Sequence, residues 1–187
     1  MLDNYVALNH RTPLPPSHVT LDLTRFQRIL LGTDGTVTDI LEAFAGEPME
    51  VVKLLQAFDP PNDGDADLVL DGERVLRRRV LLRGRRTRRS LLYAEAVVVV
   101  GRVHPGIVDG LLETDKAIGV LLAHHRTETF REILHIDRRR AGDLAAHFGI
   151  DPSDEMLSRA YLVISGGKPV IHIVETFPAA FFRGLPA

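Results

Sequence analysis

The order of the predicted elements makes this chain an α+β protein, an antiparallel β-sheet with helices packed on it. Short helical segments come first, long apolar and β-branched segments follow, and a helical insert precedes further strands. Gly166 and Gly167 separate the last two strands, and a Gly-Gly pair between strand-like segments is typical of a β-hairpin. This order favours the α+β class over a Rossmann arrangement, in which strands and helices alternate. The glycine motifs of dinucleotide-binding and P-loop proteins are both missing.

The composition is that of an ordinary globular protein. The chain has 187 residues, of which 45% are hydrophobic and 26% charged, and this length suits one domain. It contains no cysteine, which excludes disulfides, thiolate nucleophiles and cysteine-ligated metal sites and fits a cytoplasmic protein. A net charge of −2 predicts no general attraction to nucleic acid. The longest apolar runs are far too short to cross a bilayer, so we expect no membrane partner.

We predict two parts of the chain: an extended arm over residues 1–20 and a single domain over residues 21–187. The arm contains Pro13, Pro15 and Pro16 and shows no hydrophobic periodicity. It also has no apolar core of the kind found in signal peptides, so we expect no targeting segment.

Two helices are predicted at the start of the domain. Apolar residues at helical spacing indicate a helix over residues 21–31, with Gly32 at its end. Thr36 is a suitable N-cap for a second helix that runs to about residue 44, and Gly46 is a suitable stop.

Strands follow the helices. Residues 49–58 favour a strand, and residues 59–66, rich in proline, glycine and aspartate, form an exposed linker. Residues 68–82 and 91–100 are apolar and β-branched enough for two long strands, joined by an arginine-rich turn over residues 83–90.

The second half contains the helical insert and the remaining strands. Residues 105–113 and 117–124 predict two short helices in succession, which resemble a flap rather than a core helix. Residues 127–138 alternate in polarity as a strand does, residues 139–148 favour a helix, and residues 151–156 form a loop before the closing hairpin.

Glu175 is the most informative residue of the closing hairpin, which spans residues 161–177. Side chains alternate along a strand, so Glu175 shares one face with Ile171, Ile173 and Phe177. An ionised carboxylate left unpaired among apolar neighbours costs several kcal/mol. We therefore expect a cation or a proton close to Glu175.

Arg78 is the cation that best meets this expectation. It shares a strand face with Leu76, Val80 and Leu82, whereas Arg77 and Arg79 lie on the more polar face, which we expect to be wet. An inward guanidinium is also the group that binds carboxylate ligands through two parallel hydrogen bonds. Two interpretations remain open, a buried structural ion pair between Arg78 and Glu175 and a binding site for an anionic ligand.

Arg159 is a second inward candidate, because it shares its face with Tyr161 and Val163. The pattern alone favours the alternative that this arginine lies at a strand end and extends into solvent.

Other charged or polar clusters are weaker candidates. The arginine-rich segment 74–89 has almost no interleaved aromatic residues, so a solvated hairpin is favoured over nucleic-acid binding. His124, His125 and Glu128 do not have the spacing of a known metal site, so we expect no metal. Ser165 does not lie in a nucleophile elbow, which disfavours a hydrolase.

Four segments resemble the chorismate pyruvate-lyase family, and most of all its actinobacterial 4-hydroxybenzoate-synthase branch. They are residues 33–41 (Thr-Asp-Gly-Thr-Val-Thr-Asp-Ile-Leu), 75–84 (Val-Leu-Arg-Arg-Arg-Val-Leu-Leu-Arg-Gly), 115–122 and 159–177. Ile-Ser-Gly-Gly-Lys-Pro and Val-Glu-Thr-Phe within the last segment are the most specific. The resemblance runs from about residue 21 to residue 183.

The resemblance implies an enzyme that splits chorismate into 4-hydroxybenzoate and pyruvate without metal or organic cofactor, in a buried site covered by helical flaps. The family's substrate-binding arginine falls on Arg78 and its acidic residue on Glu175. Backbone contacts from the two flaps fall near Val37 and Ile118. Val37 stands where better-known members carry methionine, and Glu95 and Arg159 are less closely aligned with the family pattern.

The implied chemistry suits these residue types. Chorismate is a dianion, so a buried site needs fixed cations, which Arg78 and Arg159 would supply. Aromatisation drives the elimination, so the protein has mainly to position the substrate and manage one proton. Glu175 is the natural proton-handling group, and its role as acid, base or hydrogen-bonding anchor is left open.

Two other functions compete with this one. The same fold resembles the effector-binding domains of some transcription regulators, in which the pocket senses a small acid without catalysis. Against this, the sequence has no segment that we predict to bind DNA. A third possibility is a chorismate-converting enzyme with a different aromatic product. The oligomeric state is left open by the sequence.

Overall fold

In the part of the chain that the structure describes, six antiparallel strands form one sheet, and five α-helices pack against it. The computed structural model describes residues 22–60, 68–70 and 72–184. The helices are α1 Arg25–Gly32, α2 Val37–Ala45, α3 Pro105–Glu113, α4 Ile118–His124 and α5 Ala145–Phe148. The strands are β1 Met49–Asp59, β2 Val75–Gly84, β3 Ser90–Val99, β4 Phe130–Arg140, β5 Glu155–Ser165 and β6 Lys168–Pro178. Short 3-10 helices occupy Val100–Arg102, Gly142–Leu144 and Ala179–Phe182.

The strand order is β1-β2-β3-β6-β5-β4, which confirms the predicted α+β class with an antiparallel sheet. The closing hairpin is also confirmed. Its two turn residues, Gly166 and Gly167, have φ values of 56° and 74°, a left-handed conformation that glycine adopts without steric cost.

Several predicted boundaries were wrong. The strand predicted from residue 68 begins only at Val75, because the chain turns at Gly72, where φ is 84°. The apolar residues Leu68 and Val69 are buried against Val75 and Val99, and this burial, not membership of the strand, explains the apolar pattern. The prediction of a long helix over residues 139–148 is also wrong for the first residues of that range.

At that position β4 continues to Arg140, since Arg139 and Arg140 still pair with β5. Helical structure is confined to Gly142–Leu144 and α5, and β5 begins at Glu155, inside the loop predicted over residues 151–156. The predicted arm and most of the linker 59–66 lie outside the described residues. Asp59, the first residue of that linker, ends β1.

One face of the sheet carries two pairs of helices. The α1–α2 cluster is formed by Leu30, Leu31, Val37 and Leu41 packed on Leu82, Leu92, Leu157 and Phe177. The α3–α4 cluster is formed by Ile107, Leu111, Leu121 and Leu122 packed on Leu76, Val98, Val163 and Ile171. Each pair covers one end of the strands, so the middle of this face lies between the two clusters.

The opposite face of the sheet is less exposed to solvent than the sequence predicts. Leu81 and Tyr93 are buried there beneath α5, through Ala145 and Phe148. Arg79 is exposed on this face, in agreement with the prediction, and its Nε lies 3.7 Å from a carboxylate oxygen of Glu95. No helix in the described part of the chain is long and apolar enough to cross a membrane.

Candidate functional site

Strand register aligns the inward side chains in rows across the sheet. One row contains Arg78, Ala96, Ile173, Tyr161 and Ile133, in the order β2, β3, β6, β5 and β4. The next row contains Val80, Ala94, Glu175, Arg159 and Ile136 in the same strand order. Directly opposed residues have Cβ atoms about 4.5–5.5 Å apart, so side chains within a row are neighbours.

These two rows form the floor of a cavity. Ala94 and Ala96, on the third of the six strands, have the small side chains that leave room above the sheet. Leu92 and Val98 lie two residues further along β3 on either side. They belong to the α1–α2 and α3–α4 clusters and close the ends of the cavity. The cavity is partly open, and its empty space, counted together with the solvent at its mouth, is about 680 Å³.

The roof of the cavity comes from the first residues of α2 and α4. Val37 and Ile118, which the sequence placed on the two flaps, both line the cavity. Gly119 brings the flaps into contact, because a Cβ at this position would lie 3.2 Å from Cγ2 of Thr36. A larger side chain at residue 119 would therefore require Thr36 to move.

Arg78 lies on the cavity wall and is only 2% exposed. Both terminal nitrogens donate to the backbone oxygen of Lys116 at 3.2 Å, and Nε is buried without a hydrogen-bond partner among the described residues. Burial lowers the pKa of the Arg78 guanidinium to about 10, and the charge of Asp115 acts against this fall. Arg78 is therefore a cation at neutral pH, and a peptide oxygen is the group bound to it.

Glu175 lines the same cavity, but its cationic partner is Arg159 and not Arg78, so the predicted pairing was wrong. Nε of Arg159 donates to Oε2 of Glu175 at 2.7 Å. Arg159 is fully buried, which also rules out a solvent-extended strand-end arginine. Its Nη1 donates to the backbone oxygens of Leu31 at 3.3 Å and Thr33 at 2.8 Å, which holds the end of α1 over the sheet.

Tyr161 is a further part of this cluster that the sequence argument did not identify. Its hydroxyl donates to Oε1 of Glu175 at 3.0 Å, so both carboxylate oxygens of Glu175 are hydrogen-bonded. Burial, and then the negative charge of Glu175, raise the pKa of Tyr161. The phenol therefore stays neutral and acts as a donor. The signal was present, because Tyr161 shares its inward face with Arg159.

Arg131 was also missed, although it lines the cavity from β4. Its Nη1 donates to the backbone oxygen of Asp34, in the loop before α2, and its Nε is buried without a partner among the described residues. Alternation along β4 could have placed Arg131 inward together with Ile133. An irregularity in register between Ile133 and His135 hides the pattern, because it shifts the inward face to Ile136.

Other sequence candidates lie elsewhere. Glu95 is exposed on the far face of the sheet, where it accepts a hydrogen bond of 2.7 Å from the hydroxyl of Tyr93. Within the described ranges, no group of three or more histidine, aspartate and glutamate side chains could hold a metal ion. His124 and His125 instead contact each other through their rings, with centroids 5.2 Å apart.

Comparison with known proteins gives one family. The model of the family described as chorismate pyruvate-lyase Rv2949c-like matches residues 31–184. A chorismate pyruvate-lyase of Mycobacterium leprae is 32% identical over 171 residues, which cover 88% of this chain and 79% of the relative. The protein of the same name from Mycobacterium tuberculosis H37Rv is 29% identical over 172 residues, covering 88% of this chain and 85% of the relative.

Solved structures with the same fold are more distant in sequence. The effector domain of PhnF from Mycobacterium smegmatis superposes with a TM-score of 0.61 at 15% identity, covering 78% of this chain and 90% of that one. The C-terminal domain of the histidine utilization repressor from Pseudomonas syringae pv. tomato gives a TM-score of 0.54 at 16% identity, covering 74% and 96%. These similarities establish the fold alone.

Proposed function

This chain belongs to the Rv2949c-like chorismate pyruvate-lyase family, and on that basis we propose that it removes pyruvate from chorismate to give 4-hydroxybenzoate. The observation that carries the proposal is the cavity itself. It holds a buried arginine, Arg78, which forms no ion pair with any described carboxylate, and a fully hydrogen-bonded carboxylate, Glu175. A cavity with an anion-binding cation and an acid–base group suits a small aromatic acid.

Substrate binding is assigned first to Arg78. A guanidinium binds a carboxylate through two parallel charge-assisted hydrogen bonds, which are stronger than the contact with a neutral peptide oxygen. In this proposal the ring carboxylate of chorismate replaces the Lys116 oxygen at Nη1 and Nη2. The backbone near Val37 and Ile118 closes over the substrate, and Arg159 contributes by holding Glu175 in place.

The reaction is a balanced elimination. The C–H bond at the hydroxyl-bearing ring carbon breaks, and its electron pair forms the new ring double bond. The neighbouring C–O bond breaks, and enolpyruvate leaves with that electron pair. The proton removed from the ring is returned to the enolpyruvate, which becomes pyruvate. No oxidant, reductant or second substrate is needed, so we propose a reaction without cofactor.

Glu175 is assigned to the hydroxyl-bearing end of the ring. Arg159 and Tyr161 both donate to the Glu175 carboxylate, so in this proposal Glu175 takes the ring proton as a base or accepts a hydrogen bond from the substrate's hydroxyl. Apolar residues make up much of the cavity lining, so a bound substrate would be shielded from water. This strengthens every electrostatic contact with the substrate and positions it for the elimination.

A second candidate function is a binding module without catalysis. The observation in its favour is the fold that this chain shares with the effector domain of PhnF. In that case the cavity would bind a small acid and release it unchanged.

Incubation of the purified protein with chorismate, followed by chromatography of the products, tests these functions. We expect 4-hydroxybenzoate and pyruvate. A different aromatic product would contradict the assigned reaction, and unchanged chorismate would favour the binding module.

A further inference from the structure

Arg131 and Arg78 lie on the same face of the sheet and flank the cavity from its two lateral edges. Arg78 is on β2 and Arg131 is on β4, with β3, β6 and β5 between them. At about 4.8 Å per strand, four spacings separate their backbones by about 19 Å. Both arginines line the cavity, and because arginine side chains are long, a ligand between β2 and β4 can contact both guanidiniums.

The charges around the cavity do not cancel. Arg159 is compensated by Glu175. None of the ion pairs among the described residues involves Arg78 or Arg131. The described walls therefore carry two guanidiniums that no described carboxylate contacts directly, one at each side. The charge of Asp115 acts on Arg78 from a greater distance. Two such cations suit a dianion.

Hydrogen-bonding capacity agrees with the charges. Nε of Arg78 and Nε of Arg131 are both buried donors with no partner among the described residues. Buried donors are almost always satisfied in native proteins, so an unmet one at a cavity wall indicates a position for a ligand acceptor. The positive charge of Arg131 also opposes the rise in the pKa of Tyr161, in agreement with its position on β4, where it pairs with Val163, two residues from Tyr161 on the same face.

We propose that Arg131 binds the second carboxylate of a dicarboxylate substrate, the carboxylate that departs with pyruvate. This inference rests on the proposed function. It makes Arg131 a specificity-determining residue: the substrate is held at both sides of the cavity, whereas 4-hydroxybenzoate, with a single carboxylate, is held by Arg78 alone.

The competing role for Arg131 is structural. Its hydrogen bond to the oxygen of Asp34 connects β4 to the loop before α2. Loss of that connection would loosen the roof and weaken the binding of all ligands alike. Loss of a carboxylate contact would weaken only ligands that carry the second carboxylate. The ratio of two affinities therefore separates the two roles.

The test measures binding of two stable probes by titration calorimetry, so it does not depend on turnover. The first probe, 3-(carboxymethoxy)benzoate, carries one carboxylate on the ring and another through a meta ether, as chorismate does. The second, 3-methoxybenzoate, lacks the second carboxylate. The variants are Arg131→Met, which keeps the length without the charge, and Arg131→Lys, which keeps the charge without the planar fork. Arg138→Met, on the same strand outside the cavity, is the control.

We expect the unmodified protein and Arg138→Met to prefer the dicarboxylate. Arg131→Met should reduce that preference by about tenfold or more, the loss of one charge-assisted contact, with little change for 3-methoxybenzoate. Arg131→Lys should retain part of the preference for the dicarboxylate.

Three results would overturn the inference: no preference in the unmodified protein, an unchanged preference in Arg131→Met, or equal losses for both probes. If chorismate is not converted but the preference depends on Arg131, the proposed reaction fails while the dicarboxylate site stands.

Discussion

Three consecutive arginines on β2 have different surroundings, and this difference leads to a prediction at the scale of single residues. Arg78 is buried at the cavity, Arg77 forms an ion pair with Asp59 at 3.6 Å, and Arg79 forms one with Glu95. We expect Arg78→Met to weaken 4-hydroxybenzoate binding by about 1.5–3 kcal/mol, the value of hydrogen bonds to a charged group.

Arg77→Met and Arg79→Met are the controls. Arg79 is exposed and Arg77 is half-buried, and ion pairs of surface residues contribute about 0–1 kcal/mol to stability. Neither side chain lines the cavity, so ligand affinity should stay unchanged. Calorimetric titration of all three variants measures the effect. Equal losses at the three positions would mean that the assigned face of β2 is wrong.

Glu175→Gln leads to a second prediction, because Arg159 depends on this carboxylate. Glutamine keeps the size of the side chain but leaves a buried guanidinium without its counter-charge, and breaking a buried pair in this way costs about 3–5 kcal/mol. We expect a large loss in the free energy of unfolding, measured with urea, and slower chorismate turnover by about 10²-fold.

The double variant Glu175→Gln, Arg159→Met tests the cause of that loss. Because the stranded charge is removed as well, the double variant should lose less stability than the sum of the two single variants. Additive losses would show that Glu175 and Arg159 do not depend on each other.

Residue-scale predictions from sequence were correct for faces and wrong for partners. Alternation alone placed Arg78 and Glu175 on the cavity face. The partner of Glu175 depends on register: counting back from the turn, where Ser165 pairs with Lys168, would place Ser158 opposite Glu175. An irregularity between Val163 and Ile164 shifts the pairing by one residue and brings Arg159 to that position. No local pattern in the sequence announces this shift.

At the scale of elements, Glu47 connects the end of α2 to the β2–β3 turn. Its side chain is buried, and it accepts hydrogen bonds from the hydroxyl of Thr87 at 2.6 Å and from the backbone nitrogens of Arg86 at 2.6 Å and Thr87 at 3.2 Å. Gly84 leaves the room for it, because a Cβ there would lie 2.4 Å from Oε1 of Glu47. The arginine-rich turn is therefore held by a carboxylate that no motif identified.

The third prediction concerns the pH dependence of this contact. The hydroxyl of Thr87, followed by the backbone donors and the charge of Arg86, holds the pKa of Glu47 below its usual value of 4.5. A lowered pKa in the folded state stabilises the protein above pH 4.5, and this contribution is lost as pH falls through the folded-state pKa.

Glu47→Gln should therefore be less stable than the unmodified protein at pH 7, and the difference in thermal midpoint should shrink as the pH is lowered below 4.5. Circular dichroism melts over this range measure it. A difference that is constant with pH would mean that the charge of Glu47 contributes nothing.

The fourth prediction concerns the floor of the cavity on β3. Ala96→Leu places a larger side chain into empty space, so the protein should stay folded while 4-hydroxybenzoate binding is lost. Ala145→Leu is the matched control. Ala145 lies on α5 and is buried against the opposite face of the sheet, where the same substitution overpacks the core at a cost of about 1–3 kcal/mol. Retained ligand binding in Ala96→Leu would place the binding site elsewhere.

At the scale of the whole molecule, the sheet consists of two three-stranded meanders, β1-β2-β3 and β4-β5-β6, joined where β3 pairs with β6. Each meander follows from short connections and alternating patterns, so the fold class could be predicted. The junction could not, because antiparallel edge strands of either half offer equivalent backbone hydrogen bonds. This pairing brings Arg78 from one meander and Glu175 from the other into one cavity.

The proposed domain limits lead to a fifth prediction. We propose that the fold depends on residues 21–187, since the sequence of residues 1–20 has no pattern that would bury apolar surface. Deletion of residues 1–20 should leave the thermal midpoint within about 2 °C and chorismate turnover within a factor of two, because substitutions and deletions outside packed structure have small effects. A large drop in the midpoint would assign the arm to the domain.

The central claim is that chorismate is split in the cavity that contains Arg78. Its most direct test is to measure pyruvate and 4-hydroxybenzoate together, with a chelator present, for the unmodified protein, Arg78→Met and Arg79→Met. We predict equal amounts of both products from the unmodified protein and from Arg79→Met, and a rate at least about tenfold lower from Arg78→Met at limiting substrate, from the loss of one charge-assisted contact. Full activity in Arg78→Met, or chorismate left intact by the unmodified protein, would contradict the claim.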